Sequence, residues 1–115
     1  MGDIRRYGVT PRWSDKVVHA GTVYLVEVAS TAGAPFTQQV EEIFASIDRQ
    51  LAEVGSGRDR LLQVTIYLTD LANLSAFNAL WERWLPSGSA PSRACVRAEL
   101  AAPGLAVELV LTAAC

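Results

Sequence analysis

The feature that most restricts the fold is a change of hydrophobic period in the middle of the chain. From Thr37, apolar side chains recur at Val40, Ile43, Phe44, Ile47, Leu51 and Val54, with Glu41, Glu42, Asp48, Arg49 and Glu53 on the other side. That spacing predicts an amphipathic helix, with Thr37 as its N-cap, the two glutamates near the positive end of its dipole and Gly55 as its left-handed stop. The period then drops to two: Leu62, Val64, Ile66 and Leu68 alternate with Gln63, Thr65, Tyr67 and Thr69, as in a strand with one oily face. A second helix is predicted next, with Leu74, Phe77, Leu80, Trp81, Trp84 and Leu85 along its stripe and Pro86-Ser87-Gly88 ending it.

The flanks read as strands. Residues 16 to 18 and 22 to 28 are β-branched and aromatic around Ala20-Gly21, which predicts a tight bend with Val17, Val18, Val23, Tyr24, Leu25, Val26 and Val28 buried. Arg93 to Leu100 and Leu105 to Thr112 read as two more strands, joined through Ala101-Ala102-Pro103-Gly104. If that connection is a tight hairpin, Glu108 stands beside Cys95 or Arg97. The order strand, strand, helix, strand, helix, strand, strand gives an α+β two-layer sandwich of one domain over residues 1–115: a mixed sheet with two helices on one face.

Helices on one side leave the other sheet face open, showing Thr65 and Tyr67 or Val64 and Ile66 according to register. Half of the 115 residues are hydrophobic (50%) and only 19% charged, too few to solvate such a surface, so an apolar interface between copies is expected. Ten basic and twelve acidic residues, for a net charge of −2, give no basic block, which argues against a nucleic-acid partner. No apolar run approaches the ~20 residues that span a bilayer, and the first residues do not lead into a signal-peptide core; no membrane partner and a cytoplasmic location are expected. Cys95 and Cys115 have no metal-ligand spacing and only His19 to assist them, which argues against a zinc site or a disulfide framework.

Chemistry concentrates near residue 93. On an extended strand Arg93, Cys95, Arg97 and Glu99 share one face, after Ser89-Ala90-Pro91-Ser92. The planar fork of Arg93 suits a substrate carboxylate; local sequence alone favours an ordinary bridge to Glu99, Glu108 or a helix glutamate. Glu108, among Leu105, Val107, Leu109, Val110 and Leu111, needs a partner or an ordered water, and reads as a general base or as a structural partner for Arg97. Cys95 reads as a packing residue before a nucleophile, and Asn78, on the apolar side of the second helix, as a local bond or a ligand contact. The tryptophans read as packing rather than a stacking platform.

Together, Val64-Thr65-Ile66-Tyr67-Leu68-Thr69-Asp70, Phe77-Asn78-Ala79-Leu80-Trp81, Ala90-Pro91-Ser92-Arg93-Ala94-Cys95-Val96 and Val107-Glu108-Leu109 resemble the reactive-intermediate deaminase (Rid, YjgF-like) family over nearly the whole chain. The resemblance implies a homotrimer of chorismate-mutase-like subunits with clefts between neighbours. It implies hydrolysis of short-lived enamines and imines to 2-oxo acids and ammonia, without cofactor or metal. In that scheme Arg93 binds the substrate carboxylate, Glu108 positions or activates water, Cys95 lines the pocket and Asn78 supports it. Where the family usually reads Ser-Gly-Gln, this chain has Val26-Glu27-Val28, and Trp13-Ser14 stand where a tyrosine often closes the pocket. Ser14 and Glu27 thereby join the expected substrate-binding residues. The charge of Glu27 points to a larger, less acidic or amine-bearing imine. The alternative is a trimeric protein that binds a small carboxylate metabolite without turning it over.

Overall fold

In a computed structural model, described over residues 3–115, the chain forms a six-stranded mixed sheet with two long helices. The elements run β1 (Arg5–Tyr7), β2 (Lys16–His19), β3 (Thr22–Val28), α1 (Phe36–Ala52), β4 (Leu61–Leu68), α2 (Leu74–Trp84), β5 (Ser92–Arg97) and β6 (Val107–Ala114), with single 3-10 turns at Arg58–Arg60 and Leu71–Asn73. The sheet order is β1-β2-β3-β6-β4-β5, and only β4 and β5 run parallel. Short β1, pairing Arg5 to Tyr7 with Val18 to Lys16, carries no apolar alternation and is not signalled by the sequence.

Both helices cover the same sheet face. Val40, Ile43, Phe44, Ile47 and Leu51 of α1 and Phe77, Trp81 and Trp84 of α2 bury against Val18, Val23, Leu25, Val64, Ile66, Leu68, Leu109 and Leu111. Phe44 stacks on Trp84 with centroids 4.3 Å apart and planes 11° from parallel, so the helices meet through an aromatic seam. Ala20 and Gly21 turn β2 into β3 with φ of 51° and 81°, the two left-handed residues of a tight hairpin.

Four local expectations are corrected. The N-cap of α1 is Pro35, without a side-chain cap bond, and Thr37 lies one residue inside the helix. Pro35 fixes φ at −54° just where the helix begins, so the start is set by backbone restriction. A bulge at Leu61–Gln63 slips the register against β6, which buries Leu61 and turns Leu62 outward. On β3 only Val23 and Leu25 of the five apolar residues expected inside are buried, because strict alternation sends Tyr24, Val26 and Val28 to the open face. Most consequentially, β5 and β6 are not a hairpin: β4 lies between them, β5 pairing with β4 and β6 with β4 and β3. The β4–α2–β5 unit is a crossover that makes the strands parallel, and the last loop carries the chain past β4.

Gln39 is a buried polar clamp between α1 and that last loop. Its Nε2 donates to the carbonyls of Ala34 and Gly104, both at 2.9 Å, and its Oε1 accepts from the Ala106 N–H at 2.9 Å. Gly104 has φ of 84°, and a Cβ there would sit 2.9 Å from the Gly33 nitrogen. Glu42 ties the loop before α1 by accepting from the Thr31 N–H (3.0 Å), the Thr31 hydroxyl (2.8 Å) and Gln38 (3.1 Å).

Gln39→Ala strands a buried N–H and carbonyl together, so urea unfolding should show a loss of about 2–4 kcal/mol, far more than a surface Gln→Ala. The bonds from Gln38 and Thr31 hold the Glu42 carboxyl at about 2, below the usual 4.5. A depressed carboxyl adds stability that is complete above its unfolded value and is lost as pH falls towards the folded one. Thermal melts from pH 5 to pH 2 should therefore fall less steeply for Glu42→Gln than for the wild type.

Candidate functional site

The parallel register of β4 and β5 decides where Arg93 goes. Arg93, Cys95 and Arg97 stand opposite Val64, Ile66 and Leu68, so they share the helix-covered side, at the sheet's outer edge. There the Arg93 Nη2 donates to Asn78 Oδ1 at 2.7 Å, and the guanidinium carbon lies 5.8 Å from the ring centroids of both Phe77 and Trp81. The amide and the aromatic edge of α2 thus hold an exposed guanidinium in place, and its other N–H groups have no hydrogen-bond partner among the described residues. Among the described residues neither Glu99 nor Glu108 forms a salt bridge with Arg93 or Arg97.

Cys95, next along the same face, is half-buried against the core. Burial pushes its thiol above the ordinary value of 9.0, with the charge of Arg93 opposing, which disfavours the thiolate. No group of three or more possible metal ligands occurs among the described residues.

Glu108 lies elsewhere. It pairs with Val28 on β3 and Tyr67 on β4, so it projects from the open face, not beside Cys95 or Arg97 as a hairpin would require. Its half-buried carboxylate stands in a surface of Tyr24, Val26, Val28, Val96 and Val110, all exposed.

Ser14 and Glu27 form a third group. They line a cavity of about 590 Å³ with Trp13, Asp15, Ser46 and Arg49 among others. Glu27 pairs with Leu109, points to the helix-covered side and is 9% exposed. Burial raises its carboxyl above 4.5, while hydrogen bonding by Ser46 and the charges of Arg49 and Lys16 pull it down and Asp15 pushes it up. Ser46 accepts from Arg49 Nη2 at 3.0 Å, which leaves the hydroxyl proton free to serve Glu27. Ser46 and Arg49 were hidden in the sequence because they occupy the polar side of α1; their three-residue spacing was the one sign that they act together.

Within one chain, then, Asn78, Arg93 and Cys95 gather on β5 and α2, while Ser14 and Glu27 gather beside β3. Two strands, β6 and β4, separate β3 from β5, about 14 Å at the usual strand spacing. Glu108 is on the opposite face of the sheet from both.

A family model described as endoribonuclease L-PSP matches residues 4–115. The chain is 36% identical to the RutC family protein YoaB of Escherichia coli over 111 residues, covering 96% of this chain and 97% of the relative. It is 34% identical to a RutC family protein of Haemophilus ducreyi over 112 residues, 96% of each chain. Among solved structures, an uncharacterized protein from Pseudomonas aeruginosa superposes with a TM-score of 0.94 at 37% identity, covering 97% of this chain and 98% of that one. A YjgF-family protein from Neisseria meningitidis gives 0.92 at 39% identity, with 97% and 94% covered. An unbroken match from the first strand to the last residue, carried by sequence and by backbone alike, makes this chain a member of the Rid/YjgF family.

Proposed function

We propose that the protein hydrolyses reactive imines, and enamines after tautomerisation, to 2-oxo acids and ammonia in clefts completed by neighbouring copies of itself in a trimer. The observation that carries this reading is Arg93: a guanidinium on an edge strand, braced by Asn78 and two aromatic rings, with no salt bridge to a carboxylate among the described residues. Its fork suits the carboxylate of a 2-imino acid.

The three groups of site residues do not converge in one chain, and the open face between them is apolar. Covering that face with further copies removes Tyr24, Val26, Val28, Val96 and Val110 from water and brings the β5 edge of one copy against the face and β3 flank of another. Symmetric closure thus supplies a single reason for both the exposed surface and the divided site.

The chemistry asks little of the protein. A protonated imine is already electrophilic; water adds to its carbon, the resulting amino alcohol transfers a proton to nitrogen, and ammonia leaves as the carbonyl forms. Arg93 orients the substrate, and Glu108 takes the proton from the attacking water and returns one to the departing nitrogen. Water is the only co-reactant, no electrons are transferred, and no cofactor or metal is called for. RNA cleavage, which the family model's description names, gains less support: with a net charge of −2 the chain offers a phosphate backbone little attraction.

An amino-acid oxidase generating imines, coupled to semicarbazide trapping, measures the activity. The wild type should speed imine disappearance and Arg93→Ala should lose about a hundredfold in kcat/KM, the loss expected for a charge-assisted anchor. Equal rates with both proteins would reject Arg93 as the anchor; no turnover, with a carboxylate ligand raising Tm, would establish the binding alternative instead. Light scattering should give three times the 12.4 kDa of one chain, and Val110→Asp, in the middle of the open face, should return the mass to one chain. A wild-type monomer would remove the shared cleft from consideration.

A further inference from the structure

The cavity beside β3 is larger than the anchoring of a small 2-imino acid requires, and its most buried ionisable group is an acid. At about 590 Å³ it has room for a side chain of several atoms beyond the reacting carbon. Glu27, 9% exposed, is aimed into it and forms no salt bridge among the described residues. Asp15 adds a second negative charge to the lining, and the exposed indole of Trp13 adds an apolar, electron-rich face. Arg49 is the one cationic side chain in the lining; it donates to the Ser46 hydroxyl, and its charge offsets one of the two acids, so the lining keeps an excess of negative charge.

A carboxylate, a second acid and an indole around one cavity are the groups that recognise an organic cation. We infer that this cavity selects imino acids carrying a cationic side chain, whose distal guanidinium or ammonium sits against Glu27 and Trp13. The inference rests on the imine reading above and narrows its substrate class. A protonated 2-imino acid is neutral overall once its carboxylate is counted, so a further positive charge in the substrate is what would pair with Glu27. A second carboxylate in the substrate would be repelled by the same group. Desolvation disfavours the ionised form of Glu27 in the empty cavity, and a bound cation offsets that cost.

Arginine and its uncharged isostere citrulline separate charge from size. With both imines generated by a broad-specificity amino-acid oxidase, the wild type should favour the arginine imine at least about tenfold in kcat/KM, and Glu27→Gln or Glu27→Ser should bring the two close to parity. The imine of glutamate, made by its own oxidase, should be the poorest of the three for the wild type and improve relative to the others in both variants. A wild-type ratio near one, or a ratio that Glu27→Gln leaves unchanged, overturns the inference while leaving the deaminase reading intact. If no imine is turned over, it is the deaminase reading that fails, and Tm decides the rest. Stabilisation of the wild type by L-arginine over L-citrulline, lost in Glu27→Gln, upholds cation recognition, and equal shifts refute it.

Discussion

Two helices can cover only one side of a six-stranded sheet, and almost everything else about this molecule follows from that inequality. On the covered side alternate residues of β3, β4 and β6 meet α1 and α2 in a dry core, with fully buried Val23, Ile66, Leu109 and Ile47 at its centre. On the other side the same alternation lays out Tyr24, Val26, Val28, Val110 and Val96, all exposed, with neither helix above them. At roughly 25 cal/mol for each Å² of apolar surface removed from water, association of such faces has a substantial driving force before any polar contact is counted.

The position of β5 converts that geometry into chemistry. A crossover through α2 forces β5 to run parallel to β4 at the outer edge, and the parallel register aligns Arg93 with Val64, on the covered side. α2 is therefore beside Arg93, and Asn78 and the Phe77 and Trp81 rings hold its guanidinium. Had the last two strands formed a hairpin, Arg93 and Glu108 would have sat on neighbouring strands of one chain. Instead β4 lies between them, and its register with each sets the two side chains on opposite faces of the sheet.

The buried polar groups differ in what holds them. Gln39 uses both ends of its amide on backbone groups and fastens α1 to the loop before β6. Lys16, 1% exposed, reaches Gln50 and Glu53 and lies over the Tyr7 ring at 4.6 Å, so its charge is spent locally. Glu53 is drawn below its ordinary value by that contact. Glu27 is the exception: its burial is matched by no ion pair among the described residues, and it opens on a cavity.

Periodicity by itself determined the two helices, the strands around Ala20-Gly21, the central strand and the α+β class, because a side chain's face follows directly from 3.6-residue or two-residue spacing. The grouping of Asn78 with Arg93, read through a family resemblance, also came from sequence. What spacing could not determine was which strand pairs with which: strands 92–97 and 107–114 look like a hairpin locally, and only competition for the sheet's interior places β4 between them. The same holds for β1, too short and polar to signal itself, for the bulge that exchanges Leu61 with Leu62, and for the cavity that unites Glu27 with Ser46 and Arg49. Local pattern fixes the face a residue presents, since that is a property of the backbone's own repeat. Neighbours across the sheet are chosen by how all the faces can be buried at once, and that is a property of the whole chain.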